Sequence, residues 1–327
     1  MGITGEALQW LKSYFSERYQ FVHVGGASSE LHPLQTGMPQ GSVVGPFGFP
    51  TYQTPLSSIF KRHNLKYHLY ADDTQIYVAC DPVDGDVAVS QLGDCIDEVS
   101  DWMHKNFLKL NHSKTEFIVI GSNDSLKKLQ GVSGIKVGEC SVNPSSVVRN
   151  IGALFDSKLS MVDHVSAVTR SCYMHIRNIS RVRQYLTKPA AERLVHAFVS
   201  SRLDQHNSLL YGLPKYLQSK LQRIQNHAAR IVCRIGRYEH IQPVLAALHW
   251  LPIYARIEYK ILVLAFKCVH GTAPTYLCQL IDVRESNRAL RSSNQLLLKL
   301  GKPRTKTYGD RAFRNCAPVL WNSLPKD

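Results

Sequence analysis

Tyr70-Ala71-Asp72-Asp73 is the stretch of this 327-residue chain whose residue types could do chemistry. Two adjacent acids sit between runs rich in aromatic and β-branched residues, 65–70 and 74–79. Those runs read as two strands joined by a tight turn through Ala71, Asp72 and Asp73. A hairpin tip carrying two carboxylates can hold Mg²⁺, or Mn²⁺ in its place, against substrate phosphates, because both ions take oxygen ligands. Asp-Asp is also ordinary turn chemistry, since aspartate tolerates left-handed backbone and caps its own turn. A two-ion phosphoryl-transfer site needs a further carboxylate from a neighbouring strand. No aspartate precedes Asp72, and the acids upstream of it are Glu6, Glu17 and Glu30.

The elements that must position this tip follow from punctuation and periodicity. Thr4 can cap a helix with apolar residues at Leu8, Leu11 and Phe15. A strand over Tyr19 to Val24 ends at Gly25-Gly26. The stretch from Gln35 to Pro46 holds three glycines and two prolines, so it reads as a loop whose backbone can approach a ligand closely. A helix starts at Pro46. Leu92, Ile96, Val99 and Met103 share one stripe of a helix spanning Val87 to Met103. Thr115 to Ile120 reads as a strand, and short strands continue to about Phe155. Beyond Met161 the pattern is almost wholly helical, with breaks near Pro189, Pro214, Pro252 and Pro274.

Gly37-Met38-Pro39-Gln40-Gly41-Ser42 with Gly45-Pro46, followed by Tyr70-Ala71-Asp72-Asp73, resembles motifs B and C of reverse transcriptases. The likeness is closest to the enzymes of non-LTR retrotransposons (long interspersed elements). It extends through Leu108-Lys109-Leu110-Asn111 with Lys114-Thr115-Glu116, and through Asn150 to Asp156, which resembles the hairpin near the primer end. Ser201-Arg202-Leu203-Asp204, 248–252 and 320–325 resemble blocks beyond the polymerase core. The resemblance implies catalytic and metal-binding roles for Asp72 and Asp73. It also implies substrate contacts for Gln40, Gly41, Tyr70 and Lys114. RNA template, DNA primer and deoxynucleoside triphosphates would be the partners, with no membrane involved. In the family, the fingers and the strand bearing the motif A aspartate lie before the segment matched here, so that ligand cannot be carried over. Phe47-Gly48-Phe49-Pro50 departs from the family's apolar helix turn, and its Gly48 and Pro50 should weaken or kink the helix. Gln205-His206 departs from an aromatic-cysteine pair.

Charge divides the chain. Residues 1–150 hold 12 Lys+Arg against 15 Asp+Glu, whereas 151–327 hold 27 against 10, so the net +14 belongs to the second part. Such a one-sided excess favours a polyanionic partner. From Leu217 on, Leu221, Ile224, Ala228, Ile231 and Ile235 alternate at helical spacing, with Arg223, His227, Arg230, Arg234 and Arg237 on an adjoining face. Arg170, Arg177 and Arg181 repeat the device earlier. A solvated helix face explains such stripes as readily as phosphate binding does; their recurrence favours the second reading. The resemblance places these helices in a thumb, making Arg170, Arg177, Arg181, Arg223, Arg230 and Arg234 the nucleic-acid contacts. Trp250, Trp321 and Tyr308 read as core rather than as stacking platforms.

No run reaches the ~20 apolar residues of a membrane span. No signal-peptide layout opens the chain, so the location expected is intracellular, nucleus or cytoplasm, and not secreted. The eight cysteines form no C-x-x-C pair, and Cys80, Cys95, Cys172, Cys233 and Cys268 read as reduced, mostly buried packing residues. The fold class expected is α+β: a partial polymerase palm over 1–156, a helical thumb and C-terminal region over 157–286, and a basic tail over 287–327. The function expected is that of a reverse transcriptase fragment, inactive alone without the motif A aspartate. A nucleic-acid-binding remnant or a relic without function is the alternative. Oligomeric state is not legible.

Overall fold

Glycine and proline set the element boundaries of the chain, which falls into two units, 1–145 and 146–327. The computed structural model describes all residues except 1, 39–40, 130, 133, 285–295, 304, 306 and 326–327.

In the first unit, α1 (Gly5–Phe15) leads into a two-stranded ribbon. There β1 (Tyr19–Gln20) pairs with β4 (His32–Pro33), and β2 (His23–Val24) with β3 (Ala27–Ser28). The expected strand over 19–24 is therefore split at Phe21-Val22, where the Val22 N–H turns to the Ser29 hydroxyl, 2.9 Å away. Gly25 and Gly26 make the ribbon's turn with φ of 57° and 86°, a conformation that costs glycine little. Thr4 precedes α1 in extended backbone but makes no side-chain cap, and α1 buries no residue.

After the glycine-rich loop come α2 (Gly45–Gln53) and α3 (Leu56–Arg62), then β5 (Lys66–Tyr70) and β6 (Asp73–Tyr77). The helix α2 runs through both Gly48 and Pro50. Next is α4 (Gly85–Lys105), longer than the stripe required, followed by α5 (Asn123–Lys128), β7 (Ile135–Val137) and β8 (Cys140–Val142). The core joins Leu56, Ile59 and Phe60 of α3 to Leu92, Cys95, Val99 and Met103 of α4. Thr115 to Ile120 is not a strand: it touches the sheet pattern only through a parallel bridge from Phe117 to Pro144. A strand persists only where a partner offers a ladder, and among the described residues none lies along this run.

The second unit opens with the hairpin β9 (Val147–Asn150) and β10 (Ala153–Asp156). Helices follow: α6 (Val162–Val182), α7 (Lys188–Val195), α8 (Ser201–Asp204), α9 (Lys215–Cys233), α10 (Gln242–Ala247), α11 (Ile253–Val269), α12 (Thr275–Cys278) and α13 (Phe313–Asn322). Each proline break of the sequence starts a helix. Pro189 lies in the first turn of α7, while Pro214, Pro252 and Pro274 immediately precede α9, α11 and α12. Leu217, Leu221, Ile224 and Ala228 of α9 form the centre, packed with Val165, Cys172, Ile176 and Ile179 of α6 and Ile253, Ile257 and Ile261 of α11. A polar strip on α9 fixes the Trp250-Leu251-Pro252 turn. Gln225 Nε2 donates to Leu251 O at 2.8 Å, and Gln222 Oε1 accepts from Ile253 N at 2.9 Å. The described residues of 296–325 join this unit: Arg311 donates to the carbonyls of Leu159, Leu209 and Tyr211.

All eight cysteines are unpaired. Burial pushes the Cys95 thiol up to about 11, with Glu98 adding to the rise. Burial likewise pushes Cys172 and Cys316 up to about 11.

Asp156 and His164 are among the groups that tie the second unit's stability to pH. Burial pushes the Asp156 carboxyl up, but N–H bonds from Ser160, Met161 and Lys158 and the Ser160 hydroxyl outweigh it and hold its pKa low. His164 is buried, and burial, then the neighbouring His206, push its pKa down; its Nδ1 accepts from Leu154 N. Both folded pKa values lie below their unfolded values. The His164 contribution is therefore intact above about pH 6.5 and fades below it, and the Asp156 contribution fades below about pH 4. Melting followed by circular dichroism should show the midpoint falling over both ranges on acidification. Asp156→Asn should lose the lower stage, and Asp156→Ala should cost about 2–3 kcal/mol at neutral pH.

Candidate functional site

The acid pair owes its placement to alternation along two short strands. Tyr67, Leu69 and Ile76 turn inward against the first unit's core, which leaves Lys66, Tyr70, Asp73 and Tyr77 exposed on the other face. Tyr70 stands opposite Asp73 in the register, so Ala71 and Asp72 alone form the turn. Asp73 thus closes the ladder rather than sitting in the turn with Asp72. Ala71 takes φ 52°, a left-handed conformation that costs a non-glycine residue about 1 kcal/mol. Asp72 and Asp73 are both exposed. Among the described residues, no group of three or more His, Cys, Asp or Glu side chains converges where a metal could bind. The pair fits one side of a Mg²⁺ site, since that ion accepts one or two carboxylates with water and phosphate oxygens completing its shell.

The glycine-rich loop is tied to its neighbours at both ends. Arg18 Nη1 donates to Gly37 O at 2.7 Å. Tyr14 donates its hydroxyl proton to Ser42 Oγ at 2.6 Å, and Ser42 Oγ accepts from Gly45 N at 3.0 Å, capping α2. Gly48, expected only to weaken the helix, has a packing role: a Cβ there would stand 2.4 Å from Met38 Cε. Gly37 and Gly41 have φ of 85° and 82° with open space where a Cβ would project. Gln40 lies outside the described residues. Lys114 ends the 3-10 turn His112–Lys114 and is exposed, in a stretch organised by Asn111, whose carbonyl accepts from Lys114 N at 3.1 Å.

A comparison with known proteins spans both of these segments. The family model for reverse transcriptase (RNA-dependent DNA polymerase) matches residues 2–152. Residues 2–152 belong to the reverse transcriptase family, in its non-LTR retrotransposon branch. A probable RNA-directed DNA polymerase from transposon BS of Drosophila melanogaster is 25% identical over 231 residues, covering 68% of this chain and 25% of the relative. The RNA-directed DNA polymerase from mobile element jockey of the same organism is 22% identical over 235 residues, covering 69% and 24%. The chain thus spans about a quarter of the length of these relatives. Both alignments are longer than the 2–152 block, so the likeness to retrotransposon polymerases runs into the helical unit.

The six candidate arginines of that unit divide by what their guanidinium groups already hold. Arg170, Arg177 and Arg181 are exposed along one face of α6. Arg223 is exposed on α9 and reaches only Ser219 O of its own helix, at 3.3 Å. Tyr173 of α6 meets His227 of α9 ring to ring at 5.6 Å. Arg170 and Arg177 therefore flank the same inter-helix contact as Arg223 and Arg230.

Arg230 and Arg234 are committed elsewhere. Helix α9 ends at Cys233, because Arg234 adopts φ 54° and Ile235 N closes back on Arg230 O at 3.2 Å. Arg234, Ile235 and Arg237 are thus not on the helical stripe that their spacing suggested. Arg230 donates to Gly236 O and Glu239 O, and Arg234 to Arg183 O and Gln184 O. Sequence reasoning missed Arg183, which is buried and donates to Ile231 O, Val232 O and Leu186 O, capping the end of α9. Its basic neighbours masked it. Gln205 and His206 were likewise noted only as departures. His206 Nε2 lies 2.7 Å from Ile151 O, and the Gln205 amide lies under Gly152. They brace a hairpin turn in which Ile151 takes φ 45°.

Asp72→Ala and Asp73→Ala should each leave the unfolding midpoint in urea within about 0.5 kcal/mol of the parent chain, as for other exposed side chains. Arg183→Ala should cost about 2–3 kcal/mol, because Val232 O and Leu186 O lose the guanidinium and Ile231 O keeps only the Arg234 N–H, at 3.4 Å.

Proposed function

We infer that the chain is a reverse transcriptase fragment. It would comprise palm over 1–156, thumb-like helices over 157–286 and a basic tail over 287–327, acting on an RNA template, a DNA primer and deoxynucleoside triphosphates. The observation that supports this most is the reverse transcriptase match spanning a loop with outward-facing glycines and a hairpin with two exposed carboxylates at its tip. The reaction class is nucleotidyl transfer, in which a primer 3′-hydroxyl attacks the α-phosphate and pyrophosphate leaves. Magnesium, when bound, supplies charge neutralisation at the phosphates. Asp72 presents the foremost carboxylate and Asp73 a second, on the same strand face as Tyr70. Gln40 and Gly41 would lie along the template and nascent pair, with Lys114 near the triphosphate.

Two carboxylates on one hairpin serve one side of a two-ion site, and a third from another strand is required. The purified chain is therefore expected to show no polymerase activity of its own. Primer extension with Mg²⁺ or Mn²⁺ tests this; extension that Asp72→Ala abolishes would show that the chain completes its site unaided.

A nucleic-acid-binding remnant is the second reading, and the exposed arginines Arg170, Arg177, Arg181 and Arg223 favour it. The chain should bind RNA–DNA hybrid with weak sequence preference and an affinity that falls steeply with salt. Arg170→Gln, Arg177→Gln and Arg223→Gln together should reduce the slope of log affinity against log salt by about 2–3. Arg230→Gln and Arg234→Gln should instead mainly destabilise the loop after α9. Fluorescence anisotropy across a salt series separates the two sets.

A further inference from the structure

We propose that Tyr14 and Arg18 are positioning residues that hold the 37–45 loop in the shape that meets a template–primer duplex. This rests on the reverse transcriptase reading of that loop, and deepens it by naming what sets the loop's conformation.

Within the described part of the loop, Met38 packs against Gly48 and Ser42 Oγ meets Gly45 N, but the two left-handed glycines pack on nothing. Gly37 and Gly41 are both left-handed, and neither has a neighbouring atom within 4 Å of where a Cβ would lie. Glycine backbone without packing samples many conformations. Both ends of the loop are also restrained from outside. At the entry, Arg18 is already fixed by the ribbon, since its carbonyl accepts from Leu34 N at 2.7 Å. Its guanidinium then reaches Gly37 O, and its Cζ lies 5.6 Å from the centre of the Phe15 ring. At the exit, the Tyr14 hydroxyl holds Ser42 Oγ, the same atom that caps α2. The Tyr14 ring is stacked on Trp10 at 5.3 Å and set edge-on to Phe15 at 5.0 Å, which limits its freedom.

Both attachments come from the last turn of α1 and the residues just after it. Since α1 buries no side chain, its aromatic residues are not explained by a core. A rigid short helix reaching both ends of a glycine-rich segment fixes the distance between those ends. It leaves the Cβ sides of Gly37 and Gly41 facing open space, where a ligand can approach. Trp10 is 53% exposed, and its ring supports Tyr14 from the solvent side.

Hydrogen exchange of the full-length chain, free and with a 3′-recessed RNA–DNA duplex, tests the proposal. In the free protein, Tyr14→Phe should speed exchange in peptides covering 41–48, and Arg18→Ala in those covering 35–38, each about two- to tenfold. Peptides of α9 should not change, which excludes global unfolding. On adding the duplex, the loop of the parent chain should gain protection. The Tyr14→Phe/Arg18→Ala double variant should lose that gain, and Arg18→Lys, which keeps a donor for Gly37 O, should retain most of it. Unchanged loop exchange in the free variants overturns the positioning role. Loop exchange that rises in the free variants while the duplex never protects the parent loop overturns the role of that loop in nucleic-acid contact.

Discussion

Two strands are too few to hold a sheet by their own hydrogen bonds, so the acid tip of the first unit depends on the floor beneath it. Burial of Tyr67, Leu69 and Ile76 against α3 and α4 fixes the register of β5 and β6. A slip of one residue would turn these apolar side chains to solvent and move the acids out of the turn. The register in turn places Tyr70 against Asp73 and strains Ala71. The chemistry-bearing residues pay no burial cost, and their positions are inherited from apolar neighbours three to six residues away. The same arrangement recurs in the second unit, where the exposed arginines of α6 and α9 stand on a stripe of buried leucine and isoleucine.

Much of this was legible because local and tertiary signals agree. Four prolines mark four helix starts, since proline costs least where a helix begins. The stripe of α4 and the glycine turn of the ribbon follow from periodicity and positive φ. Other features depend on distant partners and left no local trace. Thr115 to Ile120 has the composition of a strand but no ladder to join. Ile231 and Ile235 continue the spacing of α9, yet the helix stops because Arg234 turns left-handed and Arg183, some fifty residues earlier, caps its carbonyls.

Arginine has two uses here that composition cannot separate. A guanidinium has five donors in a fixed fork. Where carbonyls converge at a helix end or a loop, that fork satisfies backbone groups that would otherwise be buried without partners. Arg183 and Arg311 act in this way, while Arg230 and Arg234 tie down carbonyls of exposed or half-buried turns. Arg170, Arg177, Arg181 and Arg223 do not, so fewer guanidinium donors are left for a polyanion than the count of basic residues suggests, although the charge itself remains.

The buried thiols carry one more consequence. Thiolate is the form that alkylates, and a pKa near 11 leaves almost none of it in Cys95, Cys172 or Cys316 while their surroundings stay closed. Each becomes an ordinary reactive cysteine when its core opens. Cys95 lies in the core of the first unit, and Cys172 and Cys316 lie in that of the second. The chain therefore carries its own clocks. The labelling rate at each sulfur counts how often that core opens, so the lifetimes of the two cores can be timed separately in a single sample without any added probe site.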